Sequence, residues 1–335
     1  MKKLNVAVIG CGGIANYAHL PNLVKLEQVN LIATCDIIEE RAKQAASKFK
    51  VSRFFTDYKD VLELKDLDAV VVATPPDAHK EIAVEAMKSN KHVFLEKPLA
   101  ATLKDAYEIY KQWKKTNVKF AVGFCLRHHG MFKYAKKLIE DNTIGEPVAL
   151  WRVAIGTAIG VLPPVGWLVD KNKSGGMVVE NTIHMIDSFI WFAGDITSAL
   201  AKYKTERKGI SIEDNAYIIF THKNGAFSSV LQSWTATHTY ESWGIVGKEG
   251  TVSVRGYVLG SMEVSSRNES SREVTIKEDP IVMYEKEMKD FVNSILNNKP
   301  TFASPLDGLK AIEAAVAAEK SSKEEKLINL PLIEY

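Results

Sequence analysis

Glu180 and His184 stand four residues apart in the segment SGGMVVENTIHMID, residues 174–187. If the segment is helical, residues at i and i+4 share one face, so the carboxylate and the imidazole point the same way. An imidazole titrates near neutrality and can take a proton from a hydroxyl group, and a nearby carboxylate can orient it. The spacing, behind a flexible Gly175-Gly176 entry, therefore indicates acid/base chemistry. The alternative is one turn of an ordinary buried helix.

The same segment also has donor atoms for a metal site, since Glu180, His184 and Asp187 offer oxygen and nitrogen at helical spacing. No other clear cluster of ligands accompanies them in the sequence. His128 and His129 are adjacent, so their side chains diverge in regular structure. The sequence therefore favours a site without a metal.

A glycine-rich turn near the start, GCGGIA, has Gly10, Gly12 and Ala15 in the pattern G-x-G-x-x-A, between an apolar strand and a stretch that can form a helix. The first glycine allows a tight turn, the second lets a pyrophosphate approach the backbone, and the small Ala15 lets helix and strand pack closely. The helix N-terminus would bind the phosphates, with Gly13 and Ile14 in the same loop. The turn therefore predicts a dinucleotide site.

Asp36 ends the second apolar stretch, VNLIATCD, at the place where a carboxylate binds the adenosine ribose. Its carboxylate oxygens accept hydrogen bonds from a free 2′-hydroxyl, and its negative charge repels a 2′-phosphate. The residue therefore favours NAD over NADP. Arg41 could serve a phosphate, but it begins a helix face and is better suited to surface ion pairs. An aspartate here can also cap the following helix, and the two roles are compatible.

The first half of the chain alternates near-continuous apolar strands with helical stretches, which is typical of a parallel sheet covered on both faces. From about residue 124, strands with period-two polarity take over, and Asn224-Gly225 between two of them predicts a hairpin. The sequence thus predicts an α/β protein. Its N-terminal Rossmann domain, 1–123, has a parallel sheet, and its C-terminal α+β domain, 124–335, has a large open, mainly antiparallel sheet. The last helix is expected to pack back near the Rossmann domain.

Composition restricts the class of protein and its partners. A length of 335 residues exceeds one usual core, and 46% hydrophobic with 25% charged residues is typical of a soluble globular protein. Lys+Arg 43 against Asp+Glu 41 gives a net charge of +2, so no basic field indicates nucleic acid or a membrane surface as partner. No apolar stretch approaches the roughly 20 residues of a membrane span. Three scattered cysteines favour a reducing cytoplasm over a disulfide framework.

Three segments carry a resemblance to a known family: ATPPDAH at 73–79, FLEKPLA at 94–100, and the segment 174–187. In order and spacing they resemble the glucose-fructose oxidoreductase / inositol dehydrogenase / MocA (Gfo/Idh/MocA) family. The likeness covers essentially the whole chain. Its specific part is the combination of Glu96-Lys97-Pro98 with the glycine pair and His184.

The resemblance implies roles for residues of this chain. Lys97 matches the family lysine near the nicotinamide and the substrate hydroxyl, and His184 matches the general acid/base. Glu180 falls where many members have aspartate, and Arg127 matches an arginine near the pocket. The residues expected beside the cofactor in this way are Thr74, Pro75, His79, Glu96 and Lys97. The family's Lys-Pro bond is often cis, so a cis bond before Pro98 is expected.

The chemistry of these residues is consistent with the resemblance. Oxidation of a secondary alcohol removes the hydroxyl proton while hydride passes to the nicotinamide. His184 can take the proton, and the Lys97 ammonium can stabilise the developing alkoxide. We therefore expect an NAD(P)-dependent dehydrogenase of a sugar, polyol or related cyclic compound, with Trp167 near the sugar ring.

Two alternatives stay open at this point. One is an NADP-linked reductase of a carbonyl or dihydrodiol, and the other is a non-catalytic sensor that binds a dinucleotide. The intact pair of Lys97 and His184, which a sensor does not need, favours the enzyme. An open sheet face can bury a partner subunit, and the resemblance implies a homodimer or homotetramer.

Overall fold

The computed structural model of the chain describes residues 3–156, 166–267 and 269–334. The chain divides into two compact units, and each unit has its own sheet. The first unit comprises Met1–Cys125 with Ile281–Leu309, and the second comprises Leu126–Pro280 with Lys310–Tyr335.

Strands and helices alternate in the first part of the chain, and strands predominate later. The strands are β1 (Leu4–Ile9), β2 (Val29–Cys35), β3 (Arg53–Phe55), β4 (Ala69–Val72), β5 (His92–Glu96), β6 (Phe120–Gly123), β7 (Pro147–Ile155), β8 (Ile196–Lys204), β9 (Asn215–His222), β10 (Phe227–Ser233), β11 (Tyr240–Gly247), β12 (Gly250–Gly256), β13 (Gly260–Ser266), β14 (Glu269–Val274) and β15 (Ile328–Asn329). The helices are α1 (Leu20–Leu23), α2 (Glu39–Phe49), α3 (Tyr58–Leu62), α4 (His79–Lys88), α5 (Leu103–Trp113), α6 (Gly130–Glu140), α7 (Lys171–Ser174), α8 (Ile183–Ala193), α9 (Ile281–Leu296) and α10 (Pro305–Glu324). Short π-helical turns, Ala15–His19 and Val178–Thr182, lead directly into α1 and α8. Within the described residues, no helix combines the length and the apolar character needed to cross a membrane.

The first unit is built on a parallel sheet whose strands have the order β3-β2-β1-β4-β5-β6. Its central strands are apolar throughout because both faces are covered, and every residue of β4 is inaccessible to solvent. The strand order reverses between β1 and β4, which pair although β2 and β3 come between them in sequence. In such sheets, a ligand usually binds at this point, outside the carboxyl ends of the strands.

α9 belongs to the core of the first unit, although it follows the second sheet in sequence. Met288 and Phe291 on this helix are buried in one apolar cluster with Val8 and Phe94. Burying such a side chain contributes about 1.5–3 kcal/mol. α9 also packs against α1 and against the turn Ala15–His19, so it lies beside the loop that follows β1.

The second unit is built on a larger sheet, with the order β14-β13-β12-β11-β7-β10-β9-β8-β15 over the described residues. Its neighbouring strands are antiparallel except for β7 with β10. Along β9, buried and exposed residues alternate, as period-two polarity predicts. The predicted hairpin at Asn224-Gly225 joins β9 to β10, and Gly225 has a φ of +86°. The predicted fold class, with its parallel and its mainly antiparallel sheet, is confirmed.

Aromatic rings fix α8 against this second sheet. Phe192 on α8 stacks with Phe132 on α6 and with Trp243 on β11, at centroid distances of 6.2 and 6.3 Å. Phe132 and Trp243 stack on each other at 4.3 Å. Such pairs add about 0.5–1.5 kcal/mol each beyond their buried area. The helix that carries His184 is therefore held in a defined place within the second unit.

Candidate functional site

The glycine turn after β1 is built for close contact with the end of a neighbouring strand. Gly10 has a φ of +92°, and its N–H donates to the Cys35 carbonyl over 2.7 Å. A Cβ at Gly10 would lie 2.6 Å from the carbonyl carbon and oxygen of Ala73. The packing of one backbone on another thus requires this glycine, before any ligand is considered.

The next two glycines of the turn, Gly12 and Gly13, lie in open surroundings. A Cβ at Gly12 or Gly13 would meet no heavy atom of the described residues within 4 Å, apart from the adjoining chain. Ile14 leads into the π-helical turn, whose first residue, Ala15, is fully buried. The loop therefore leaves its backbone accessible, as a pyrophosphate site requires.

Asp36 follows β2 beside the glycine turn. Its Oδ2 accepts the N–H of Cys11 and its Oδ1 accepts the N–H of Ile38, both over 2.9 Å. α2 begins at Glu39 without a side-chain cap, so Asp36 closes the preceding turn and does not cap the helix. Each carboxylate oxygen keeps a second lone pair that can accept a further hydrogen bond, such as one from a ribose hydroxyl.

Three of the predicted cofactor residues follow β4: Thr74 and Pro75 lie in the loop, and His79 is the first residue of α4. Thr74 Oγ1 is buried and has no hydrogen-bond partner among the described residues, whereas Pro75 is exposed. His79 is fully buried, and its ring nitrogens lie 2.9 Å from the Thr74 carbonyl oxygen and 2.8 Å from that of Pro98. Burial lowers the pKa of His79, although both carbonyls act in the opposite direction. The imidazole thus joins the loop after β4 to the loop after β5.

Lys97 follows β5 at the same edge of the sheet and is partly exposed. Its bond to Pro98 is cis, which confirms the expectation. Glu96 is buried, with Oε1 2.7 Å from His19 Nε2, and its Oε2 accepts the Lys97 N–H over 3.0 Å. Burial alone would raise the pKa of Glu96, but His19 and Lys97 lower it below its ordinary value. An ionised Glu96 therefore ties the Lys97 backbone to the π-helical turn.

Glu180 and His184 lie on consecutive turns of one helical segment in the second unit. Glu180 is buried in the turn Val178–Thr182, and His184 is partly exposed in the first turn of α8. The predicted helix is confirmed, but its first turn is π-helical. Such turns are frequent at functional sites.

The glycine pair before this segment has backbone conformations that favour glycine, and the flexibility of this entry stays a prediction. Gly175 and Gly176 have φ values of +81° and +105°. A Cβ at Gly176 would lie 2.6 Å from Lys171 Nζ and 2.7 Å from Glu213 Oε2. Glu213 also accepts the N–H of Val178 over 2.8 Å. A buried carboxylate and its lysine partner thus hold the start of the segment.

Gln232 on β10 holds the same segment from another side. Its Oε1 accepts the Thr182 hydroxyl over 3.0 Å, and its Nε2 donates to Asn181 Oδ1 over 2.7 Å. These two residues directly follow Glu180 in the chain. The π-helical turn is therefore fixed on both sides of the predicted carboxylate.

Arg127 forms a buried bidentate ion pair with Asp187. Its Nε and Nη2 donate to Asp187 Oδ2 and Oδ1 over 3.0 and 2.6 Å. Asp187 comes three residues after His184, so this charge-assisted pair anchors α8 close to the histidine. The contact of Arg127 with a substrate stays a prediction.

Trp167 lies in a short 3-10 turn, Gly166–Val169, and is partly exposed. The preceding part of its loop, residues 157–165, lies outside the described residues. Its place near a sugar ring stays a prediction. Across the part of the chain that the structure describes, no group of three or more His, Cys, Asp or Glu side chains is placed to hold a metal ion.

Sequence reasoning did not single out three of the residues that shape these sites. His19, Glu213 and Gln232 bind partners that are 77, 35 and 51 residues away in the chain. The available signal is weak: a polar residue in a largely apolar stretch, as His19 is in ANYAHL.

Two family descriptions match this sequence. The description "Oxidoreductase family, NAD-binding Rossmann fold" matches residues 4–124, and "GFO/IDH/MocA C-terminal domain" matches residues 132–253. The chain belongs to the Gfo/Idh/MocA family. The predicted family is thereby confirmed, and with it an oxidoreductase with an NAD-binding Rossmann domain.

Several named proteins are similar to this chain over almost the full length. The chain is 28% identical over 338 residues to myo-inositol 2-dehydrogenase of Thermotoga maritima, covering 98% of each chain. It is 26% identical to scyllo-inositol 2-dehydrogenase (NAD(+)) of Bacillus subtilis, covering 98% of this chain and 96% of the relative. The structure of levoglucosan dehydrogenase in complex with NADH and L-sorbose has the same fold. Its TM-score is 0.92 at 23% identity, with 99% of this chain and 100% of that chain covered.

The first two glycines of the turn give a testable contrast. Gly10→Ala forces a methyl group against the Ala73 backbone at positive φ, so we expect the ligand-free protein to lose about 1–3 kcal/mol of stability. Gly12→Ala meets open space, so its stability should stay within about 0.5 kcal/mol of the wild type. Its NAD affinity should fall roughly tenfold or more, because the methyl group covers the exposed backbone. Scanning calorimetry measures the stability, and titration calorimetry measures the affinity for NAD. Equal destabilisation by Gly10→Ala and Gly12→Ala would contradict this division of roles.

Proposed function

We propose that the chain is an NAD-dependent dehydrogenase that oxidises a secondary alcohol of a sugar, polyol or related cyclic compound. The observation that carries this proposal is the placement of the Gly10 turn, Asp36 and Lys97 at one edge of the parallel sheet. The carboxyl ends of β1, β2 and β5 all lie at this edge. A bound nicotinamide cofactor would accept the hydride.

The residues at this edge fit a dinucleotide. The open backbone at Gly12 and Gly13 leaves room for a pyrophosphate. The buried Thr74 hydroxyl, without a partner among the described residues, offers both a donor and an acceptor. The free lone pairs of Asp36 suit a ribose hydroxyl.

In this proposal the chain itself supplies the proton chemistry. His184 takes the hydroxyl proton, because an imidazole titrates near neutral pH. The Lys97 ammonium stabilises the negative charge that develops on the oxygen. Glu180 orients His184 or holds a neighbouring hydroxyl. The contacts that fix each backbone support these roles, since preorganised groups need little rearrangement during reaction.

The substrate class is part of the proposal. The compared proteins are named for inositols and levoglucosan, which are cyclic compounds with several hydroxyl groups. A substrate of the same class would use Trp167 against an apolar ring face. Arg127, anchored by Asp187, would bind a hydroxyl.

NAD is the proposed cofactor in preference to NADP. The Asp36 carboxylate would repel a 2′-phosphate. The next residue, Ile37, is 91% exposed and apolar, so it offers no charge to bind such a phosphate. This pair of residues therefore favours a free 2′-hydroxyl.

Lys97→Met and His184→Ala test the catalytic roles separately. We expect each to lower kcat by about 10²–10³-fold, while the dissociation constant for NAD changes only a few-fold. NADH absorbance, followed over a panel of inositols, sugars and other polyols, identifies the substrate and measures turnover. Lys65→Met and His238→Ala, at exposed positions, are matched controls that should keep wild-type rates. Normal turnover in either test variant refutes its role, and a wild type inactive on the whole panel contradicts the proposed function.

Cofactor choice is tested by titrating the wild type with NAD and NADP in a calorimeter. We expect NAD to bind at least roughly tenfold more tightly. Asp36→Asn keeps an acceptor oxygen for the Cys11 N–H but removes the charge. The difference between the dissociation constants for NAD and NADP should therefore become smaller. Equal or tighter binding of NADP to the wild type would refute the preference for NAD.

We also propose that the chain forms at least a homodimer through the outer face of the second sheet. Five large apolar side chains of β8, β9 and β10 are exposed on this sheet: Leu200 44%, Tyr217 50%, Ile219 37%, Phe227 52% and Leu231 37%. Leu231 lies opposite Tyr217, and Leu200 lies opposite Ile219. Contiguous apolar patches of this kind mark interaction sites. A second copy presents the same patch, as a two-fold dimer requires.

Replacing Tyr217 and Leu231 together by Lys tests the dimer. Two charges on opposite residues should prevent association, so light scattering after size-exclusion chromatography should give the mass of one chain. Leu259→Lys is the control, because Leu259 is 64% exposed in the turn between β12 and β13. A monomeric wild type, or a double variant that associates like the wild type, would rule out this interface.

A further inference from the structure

One buried carboxyl group has no part in the proposed function. Glu287 lies in α9, and none of its surface is exposed to solvent. Neither of its carboxyl oxygens has a hydrogen-bond partner among the described residues. Burying an ionised carboxylate without a partner is very unfavourable, whereas a neutral acid is tolerated far better. The protonation of Glu287 therefore depends on the groups around it.

The groups around Glu287 come from several elements of the first unit. α9 packs against α1 and against the turn Ala15–His19, and it lies beside the residues that end β5 and follow β6. The titratable or charged groups of this cluster are Tyr17, His19, Glu96, Lys97, Cys125 and, on α9 itself, Tyr284. α1, with the sequence LPNL, adds no titratable side chain.

Glu96 is the ionised carboxyl group of this cluster. Its Oε2 accepts the Lys97 N–H, and its Oε1 lies within hydrogen-bond distance of His19 Nε2. A backbone N–H is only a donor, so Oε2 must act as an acceptor. This arrangement agrees with the lowered pKa of Glu96.

Glu287 is the neutral carboxyl group. Burial, and then the negative charge of Glu96, raise the pKa of Glu287 well above its ordinary value. Burial also raises the pKa of the Cys125 thiol, and the neighbouring Cys125 raises that of the Tyr284 hydroxyl. Neither group ionises at neutral pH. Two carboxyl groups that share a buried environment do not both ionise, so the cluster holds one carboxylate.

We propose that Glu287 is held as a neutral acid in the folded protein, which leaves Glu96 as the single carboxylate of this cluster and makes the stability of the fold fall as pH rises. Only the consequence for turnover rests on the proposed function of Lys97. The protonation of Glu287 rests on the cluster alone.

Glu287→Gln tests the inference by replacing the neutral acid with an uncharged amide of the same shape. In the wild type, the folded state keeps a proton that the unfolded chain releases above about pH 4.3. The stability of the wild type must therefore fall as pH rises from that value toward the raised pKa of Glu287. The variant lacks this dependence. We expect the difference in Tm, variant minus wild type, to increase from about pH 5 to about pH 9.

Glu313→Gln is the matched control, since Glu313 is also a buried glutamate. Its Oε1 accepts the N–H groups of Leu332 and Ile333 over 2.6 and 3.1 Å. The substitution makes the same chemical change at a carboxylate that has partners. We expect the Tm of this variant to be lower than that of the wild type throughout this pH range, by an amount that does not change with pH.

Infrared spectroscopy gives a second measurement that does not depend on the Gln variant folding. At about pH 8, the wild type should show the C=O stretch of a protonated carboxylic acid. Glu287→Met, which is neutral and of similar length, should lack this band. The proposal is overturned if the wild type lacks this band, or if the difference in Tm between Glu287→Gln and the wild type does not change with pH.

Turnover separates this inference from the proposed function. Glu287→Gln should keep kcat within a few-fold, whereas Glu96→Gln should lower it roughly ten- to a hundredfold. Equal losses in the two variants would contradict the assignment of Glu96 as the charged and Glu287 as the neutral carboxyl group. If the wild type oxidises no alcohol but shows the band and the increasing difference in Tm, the proposed function fails and the protonation of Glu287 stands.

Discussion

The contact between Gly10 and the backbone after β4 is the constraint on which the first unit depends. It requires a residue with positive φ and no side chain, and it brings together two strand ends where the strand order reverses. The Gly10 N–H joins this point to the Cys35 carbonyl at the end of β2. His79 joins the loop after β4 to the one that follows Lys97. One series of backbone contacts thus connects the glycine turn with the proposed catalytic lysine.

Buried carboxylates fix the backbone at three points where function is proposed. Asp36 accepts an N–H of the glycine turn, Glu96 accepts that of Lys97, and Glu213 accepts one at the start of the segment that carries Glu180. Hydrogen bonds to charged groups contribute about 1.5–3 kcal/mol each, more than neutral ones. An ionised acceptor is therefore well suited to hold a loop that must keep its shape when it binds a ligand.

Local patterns were sufficient to predict the elements, the fold class and the glycine turn. Gly10 and Asp36 stand at fixed positions relative to two strands, and Asn224-Gly225 defines a hairpin by itself. The confirmed family followed from short segments in a fixed order. The domain boundaries and the roles of Lys97 and His184 stay predictions.

Contacts made by distant parts of the chain could not be predicted in this way. The π-helical turn at Glu180 depends on Gln232 and Glu213, which come from other elements of the second unit. The return of α9 to the first unit places Glu287 beside Glu96, although they are almost 200 residues apart. Periodicity within a segment describes which face is apolar, and it does not identify the partner of a buried polar group.

Direct hydride transfer is the central claim, and deuterium labelling tests it most directly. A substrate from the polyol panel, carrying deuterium on the reacting carbinol carbon, is converted by the protein with NAD in ordinary water. If the chain transfers hydride from that carbon, the reduced nicotinamide contains one deuterium at C4, and turnover limited by chemistry is slower than with the unlabelled substrate. NADH formed without deuterium would contradict the claim.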